Sequence, residues 1–294
     1  METLNETQVQ FYRDNGYLML ESQIPEAEID KCIAEIEKFR EEARHLSASN
    51  DRLDLEDTHT PDNPRLRRIK LPHTISDVFA GLMRSDHVLA PVRDLIGKNL
   101  RLHTSKLNMK SAEYGAAVEW HQDWAFYPHT NDDVLAVGIV LNDVGPDNGP
   151  LMVFPGTHKG EVFDHHSNGV FAGAMDLEKS GLNLSDAVKL TGPRGSMSIH
   201  HARTVHGSDL NRSDRDRMLL LYEIMAADAY PVMGSMTAWP SLQEYDEKLL
   251  CGSGTITPRL ADVPVRIPQP QPNKTGSIYE IQSTAQKRAF DTVM

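Results

Sequence analysis

From Leu100 to Ala226 the hydrophobic pattern of this chain has a period of two, in short bursts that Gly- and Pro-containing turns keep interrupting. Segments near 100–110, 118–124, 134–141, 150–154, 187–191, 196–201 and 217–226 are rich in Val, Ile, Leu, Met and Tyr, and turns such as GPDNGP, PGTHKG and TGPRGS separate them. Successive side chains of a strand leave on opposite faces, so each burst offers one face to a shared core. Many short strands joined this way are expected to close into a barrel or jelly roll, which leaves few open edges. The fold expected is mainly β with flanking α-helices.

The helices fall on either side. Residues 26 to 46, EAEIDKCIAEIEKFREEARHL, place Ile29, Cys32, Ile33, Ile36, Phe39 and Ala43 on one helical face behind Pro25, and the acidic residues Glu26 and Glu28 suit a first turn. A second helical stretch is expected from Ser76 to Ile96, ended by Gly97 and kinked at Pro91. Between them, DTHTPDNPRLRRIKLP reads as a polar loop carrying Arg65, Arg67, Arg68 and Lys70. One short strand is expected near the start, and Pro-rich loops with a final helix after residue 230. The expected organisation is a single domain over 1–294: a mostly helical part to residue 99, the β core over 100–226, and C-terminal loops and helix over 227–294.

Composition narrows the partners. With 30 basic against 42 acidic residues the net charge is −12 and no basic run stands out, which disfavours nucleic acid. No apolar run is long enough to span a membrane, and the first residues show neither a basic leader nor an apolar stretch, so a cytoplasmic protein is expected. Cys32 and Cys251 alone cannot build a disulfide framework or a cysteine zinc site. Any metal must be held by histidine and carboxylate.

The segment EWHQDWAFYPH, residues 119 to 129, suggests where. On a strand, His121 and Asp123 leave the same face and could both point into a barrel. A second histidine, His206 in SIHHARTVHGSDLNRSDRDRMLLLYEI, would complete a two-histidine, one-carboxylate set that leaves three adjacent positions of an octahedral metal open, the arrangement of non-haem Fe(II) oxygenases. Arg217 opens the apolar strand RMLLLYEI, where its guanidinium fork could take a carboxylate from the barrel interior. Arg215, two residues earlier, competes for that role.

FYRDNGYLML, HQD, NGPLMVFPGTHKG and HGSDLNRSDRDR follow one another over roughly residues 8 to 226, and in this order and spacing the chain resembles the phytanoyl-CoA dioxygenase family of Fe(II)/2-oxoglutarate oxygenases. The resemblance implies a double-stranded β-helix core, with Fe(II) as cofactor and 2-oxoglutarate and O₂ as cosubstrates. It implies that His121, Asp123 and His206 ligate Fe(II), that Arg217 grips the distal carboxylate of 2-oxoglutarate, and that Ser208 and Asn108 assist there. Strand alternation places Leu102, Thr104, Lys106 and Asn108 on one face. Lys70 matches a basic cosubstrate contact of some members. Phe126 and Tyr127 fall where related enzymes line the substrate pocket, with packing an equal alternative.

The expected reaction is hydroxylation of an unactivated C–H bond of a small organic molecule, releasing succinate and CO₂. Asp123 favours hydroxylation over halogenation, because halogenating relatives lack the carboxylate. The rival reading is a non-oxygenase jelly roll, either a small-molecule binding module or a cupin-like isomerase, in which Arg217 would have no carboxylate to hold. Trp120 and Trp124, at odd offsets from the ligand positions, are expected to pack in the core. His129, His165, His166, His200 and His201 are expected to be structural or exposed, since two adjacent strand residues cannot both face inward. Arg65, Arg67, Arg68 and Lys70 read as a solvated charge run, with Arg68 and Lys70 the candidates for an anionic substrate if that loop covers the mouth. The sequence fixes neither substrate nor oligomeric state.

Overall fold

The computed structural model describes residues 3–113, 115–234, 237–273 and 277–290. The chain opens with α1 (Glu6–Asn15), β1 (Tyr17–Leu20) and α2 (Glu26–Ala43), then the antiparallel pair β2 (Leu53–Leu55) and β3 (Leu66–Lys70), then α3 (Pro72–Ile75), α4 (Asp77–Met83) and α5 (Asp86–Ile96). The β-rich part runs through β4 (Leu100–Lys110), β5 (Val118–His121), β6 (Val134–Val140), β7 (Leu151–Val153), β8 (His166–Ser167) and β9 (Val170–Phe171). After α6 (Leu177–Ser180) come β10 (Val188–Leu190), β11 (Met197–His201), β12 (His206–Ser208) and β13 (Arg217–Ala226). The described chain closes with α7 (Leu242–Glu247), β14 (Leu249–Cys251) and α8 (Ile278–Gln282).

A large antiparallel sheet has the order β1-β11-β6-β13-β4-β3-β2, with β14 also on β4, and a small one the order β10-β7-β12-β5. These two sheets form the jelly roll. The large sheet has two different faces. Along β13, Met218, Leu220, Tyr222 and Ile224 join the main hydrophobic core with α2, α4 and α5, whereas Arg217, Leu219, Leu221 and Glu223 point the other way into a cavity. Both faces are covered, which is why this strand reads as nearly continuous apolar sequence. The same split divides β11, where Met197 and Ile199 enter the core and His200 lines the cavity.

The helix expected over 26–46 is α2, ending at Ala43, with Ile29, Cys32, Ile36, Phe39 and Ala43 buried as predicted. The helix expected over 76–96 is instead α4 and α5, broken at Arg84 and Ser85; Ser76 caps the first by accepting a hydrogen bond from the Val78 N–H. Pro91 lies inside α5, and the His87 carbonyl that its missing N–H cannot reach accepts from Gln23 Nε2 at 2.9 Å.

Two local readings are corrected. The basic end of the expected polar loop is a strand, β3, with Ile69 buried opposite Leu107 of β4; three charges in five residues hide it from pattern reading. In β4, Leu102 shares the core with Leu107 and Met109 instead of a face with Lys106 and Asn108. The cause is a β-bulge: Glu223 pairs with Thr104 and Ile224 with Leu102, so His103 is an extra residue that reverses the alternation.

Candidate active site

His121 and His206 lie directly opposite each other, at the end of β5 and the start of β12. Asp123 lies beyond β5: the strand ends at His121, and Asp123 opens one turn of 3₁₀ helix, Asp123–Ala125. The expected i, i+2 strand geometry therefore gives way to a turn that still directs both side chains inward. Gln122, fully buried, pins this turn: its Nε2 donates to the carbonyls of Arg203 (2.8 Å) and Glu161 (3.1 Å), and its Oε1 accepts from the Phe163 N–H.

One ligand atom from each of His121, Asp123 and His206 lies within 4.8 Å of the others, and all three residues are buried. Each imidazole donates its Nδ1–H to a backbone carbonyl, His121 to Glu119 at 2.7 Å and His206 to Thr204 at 2.9 Å. That fixes the tautomer and leaves both Nε2 lone pairs toward Asp123, at 3.8 Å from its two oxygens. Burial pushes His121 down to about 4 and His206 well below the usual histidine range, so both rings are neutral near pH 7. Burial works against the Asp123 charge, but His206, His200 and Lys106 around it hold its carboxyl well below the ordinary range. Two neutral imidazoles and one carboxylate, converging within 4.8 Å, suit a divalent first-row cation.

Arg217 lies in the same cavity, 3% exposed. Its Nε donates to the Gly149 carbonyl at 3.1 Å, its Nη1 has no partner, and no described carboxylate pairs with it. Burial lowers it to about 10. The NGP turn that supplies this carbonyl needs its glycine: Gly149 has φ +72°, and a Cβ there would stand 2.8 Å from the Asp209 carbonyl and from Lys110 Cδ. Ser208 and Asn108 line the cavity with Arg217, and Asn108 Oδ1 is buried without a hydrogen bond. Arg215, by contrast, is half exposed and pairs with Asp147 and Asp214.

The phytanoyl-CoA dioxygenase (PhyH) family matches residues 12–219. The chain belongs to this family. It is 35% identical over 283 residues to a probable alpha-ketoglutarate-dependent hypophosphite dioxygenase of Stutzerimonas stutzeri, covering 95% of this chain and 97% of that one. It is 29% identical to an L-proline trans-4-hydroxylase of Streptomyces griseoviridis, over 78% of this chain and 90% of the relative. The crystal structure of EctD from S. alaskensis with 2-oxoglutarate and 5-hydroxyectoine shares the fold, with a TM-score of 0.67 at 23% identity over 90% of this chain and 89% of that one. The protein is an iron- and 2-oxoglutarate-dependent dioxygenase.

Lys106, Glu223 and His200 line the dioxygenase cavity without having been given a role by sequence reasoning, and Tyr127, expected to line the pocket or pack, acts on two of the carboxylates there. Lys106 Nζ stands 2.6 Å from Glu223 Oε1, an ion pair by distance that lacks good hydrogen-bond angles. The Tyr127 hydroxyl interacts with the carboxylates of Glu223 and Asp123, and burial first and these charges second raise its pKa well above the usual range. His200 Nε2 lies 3.4 Å from Asp123 Oδ2, and neither of its ring nitrogens has a hydrogen bond of normal geometry. A glutamate inside LLLYEIMA was the one visible signal, a charge in the middle of an otherwise apolar strand.

The other candidates sort by contact. Phe126 stacks edge-on against the His121 ring at 5.8 Å and packs on Phe171. Trp120 is buried against Phe154 and Phe290, and Trp124, also buried, donates from Nε1 to the Pro264 carbonyl. His165 accepts from the Gln122 N–H, His129 bonds the Tyr127 carbonyl, His166 bonds the Asp164 carboxylate and the Gln269 carbonyl, and His201 faces Asp132. Arg67 pairs with Glu56 and Asp57, and Lys70 with Asp54 at 2.7 Å. Arg68 lies opposite Asn108, on the face of β3 that Ile69 does not share, with a buried Nε that lacks a hydrogen bond and no ion pair to a described residue.

Proposed function

We propose that His121, Asp123 and His206 hold the Fe(II), that Arg217 with Ser208 and Asn108 holds the distal carboxylate of 2-oxoglutarate, and that the substrate binds at the Lys106–Glu223 end. The observation that carries this reading is Arg217, a buried guanidinium with an unused Nη1 and no carboxylate among the described residues to neutralise it. A buried cation without an anion costs several kcal/mol, which a bound dicarboxylate offsets. Arg217 and Glu223 stand roughly 20 Å apart along β13 by the rise of a strand, and both line the cavity that the His/Asp cluster lines.

When bound, iron and 2-oxoglutarate supply the oxidising power: one atom of O₂ goes to succinate as CO₂ leaves, and the other goes to the substrate, R–H becoming R–OH. The protein's own contributions are geometric and electrostatic. The Glu119 and Thr204 carbonyls orient the imidazoles, Gly149 aims Arg217, and the packed aromatics Phe126 and Tyr127 exclude water from the His121 side.

The substrate reading is a small, singly charged oxyanion with an oxidisable P–H or C–H bond. Lys106 makes one contact with Glu223 and has two further N–H donors, and Arg68, opposite Asn108, adds a second cation whose charge acts on Lys106. The Stutzerimonas relative, named for hypophosphite, supports the same reading.

The test is anaerobic titration of the Fe(II) protein with 2-oxoglutarate, followed by the visible metal-to-ligand charge-transfer band. Arg217→Ala is expected to weaken 2-oxoglutarate binding on the order of a hundredfold, the loss of about 3 kcal/mol for a charge-assisted contact. Unchanged binding in that variant, or the same loss in Arg215→Ala, overturns the assignment.

A further inference from the structure

His200 is the third imidazole in the cavity, and the three-residue site of His121, Asp123 and His206 has no coordination role for it. It sits on the cavity face of β11, 2% exposed, with its ring 4.4 Å from that of His206. Both its nitrogens are buried without normal hydrogen bonds, an arrangement that costs free energy unless something nearby uses them. Asp123 Oδ2 lies 3.4 Å from its Nε2, at the long limit of a hydrogen bond. His129, His158 and His165, buried outside the cluster, differ in this respect: each bonds a backbone carbonyl through a ring nitrogen.

We infer that His200 is a positioning residue for Asp123: its Nε2–H donates to Oδ2 and fixes the rotation of the carboxylate, leaving Oδ1 to face the His121 Nε2. The inference rests on the metal-site reading above. Asp123 needs such a partner because it stands on a turn instead of a strand, and its carboxylate can rotate about the terminal bond with little hindrance. A carboxylate free to turn can chelate through both oxygens and so occupy a position that the cosubstrates require. Held at Oδ2, it offers one oxygen. This is the role that outer hydrogen bonds play for metal-bound carboxylates generally, and their loss costs about 10- to 100-fold in metal affinity.

The geometry around His200 leaves room for only this partner among the described carboxylates. Its strand neighbours across the sheet are Ala136 and Tyr17 at Cα positions, and the charged groups on the cavity wall besides Asp123 are Lys106, Arg217 and Glu223, the first and last of which face each other.

The experiment uses the full chain and Co(II), whose d–d bands report coordination number, and reads the Kd for Co(II) by competition alongside the band intensities. In His200→Ala, the Kd is expected to rise by about 10- to 100-fold and the bands to change. His200→Gln, whose amide can reach the place of Nε2, is expected to recover most of the affinity and the wild-type bands. Co(II) binding in His200→Ala indistinguishable from wild type overturns the inference, as does equal loss in the Ala and Gln variants, which would mean packing and not hydrogen bonding. If His200→Ala does not fold, His200→Gln and His200→Phe decide the matter, since only the first keeps the donor. Asp123→Ala serves as the separate control: if it binds Co(II) as tightly as wild type, the metal-site reading itself fails, whatever His200 does.

Discussion

Glu223 is a buried carboxylate and the partly buried Lys106 neutralises it, so removing the lysine alone is far more damaging than removing both. Lys106→Met leaves Glu223 buried without a cation and is expected to cost about 3–5 kcal/mol in urea unfolding, while adding Glu223→Gln recovers most of that. The recovered double variant then isolates the binding role. Wild type is expected to release succinate in the presence of hypophosphite, and the double variant is expected to need far more hypophosphite for the same rate. Stimulation of the wild type by ectoine or L-proline, with none by hypophosphite, would rule out the oxyanion reading. At this scale the sequence was partly legible. His121, Asp123, His206 and Arg217 could be singled out because each chemistry demands a particular residue type, whereas Lys106 and His200 are ordinary strand residues until the sheet shows what they face. His200 in particular was set aside with His201 because one of two neighbours must point outward; the rule was sound, and the inward one belongs to the site.

Among elements, the turn after β5 is what sets Asp123 against the two histidines. Gln122 fastens it with three hydrogen bonds from a wholly buried amide, reaching the β8 approach at Glu161 and Phe163 and the β11–β12 connection at Arg203. Gln122→Ala strands those backbone groups, and at about 1–3 kcal/mol for a buried unsatisfied group the loss is expected to reach several kcal/mol. Because His121 and Asp123 flank Gln122, Co(II) affinity should fall with it. A variant that unfolds early in urea yet binds Co(II) normally at low urea would show that the turn keeps its shape without the amide. The elements themselves were mostly readable: the seven period-two segments all contain strands, and α2 lies where its apolar face predicts. The failures have local causes. The bulge at His103 reverses one alternation, β3 hides behind its charges, and the break between α4 and α5 falls in a stretch whose hydrophobic periodicity continues through it.

At the scale of the molecule, the two sheets and the helical layer bury histidines outside the three-residue site as well as within it, and this ties stability to pH. Burial pushes His129 down to about 4 and His165 to about 3, against about 6.5 in an unfolded chain. A folded-state pKa below the unfolded one means that the unfolded chain binds more protons between the two values, so stability is complete above about pH 6.5 and falls as pH drops toward 4. Each such histidine then contributes a loss approaching about 1.4 kcal/mol per pH unit. Glu56 and Asp133, whose pKa values burial raises, take up protons more readily when folded and work in the opposite sense at the acidic end. Urea unfolding at pH 7.5, 6.0 and 5.0 is expected to show a steady decline, and His129→Gln, which removes one titrating ring and keeps a polar side chain, should make that decline shallower. His129 is the informative choice because its Nδ1–H donates to the Tyr127 carbonyl, away from the proposed metal ligands, so the pH effect on folding separates from any effect on metal binding. A profile flat from pH 7.5 to 5.0, or one that His129→Gln leaves unchanged, would mean that these rings take up protons in the folded protein after all, and that the interior near β6 and the 123–129 turn admits water that the packing excludes.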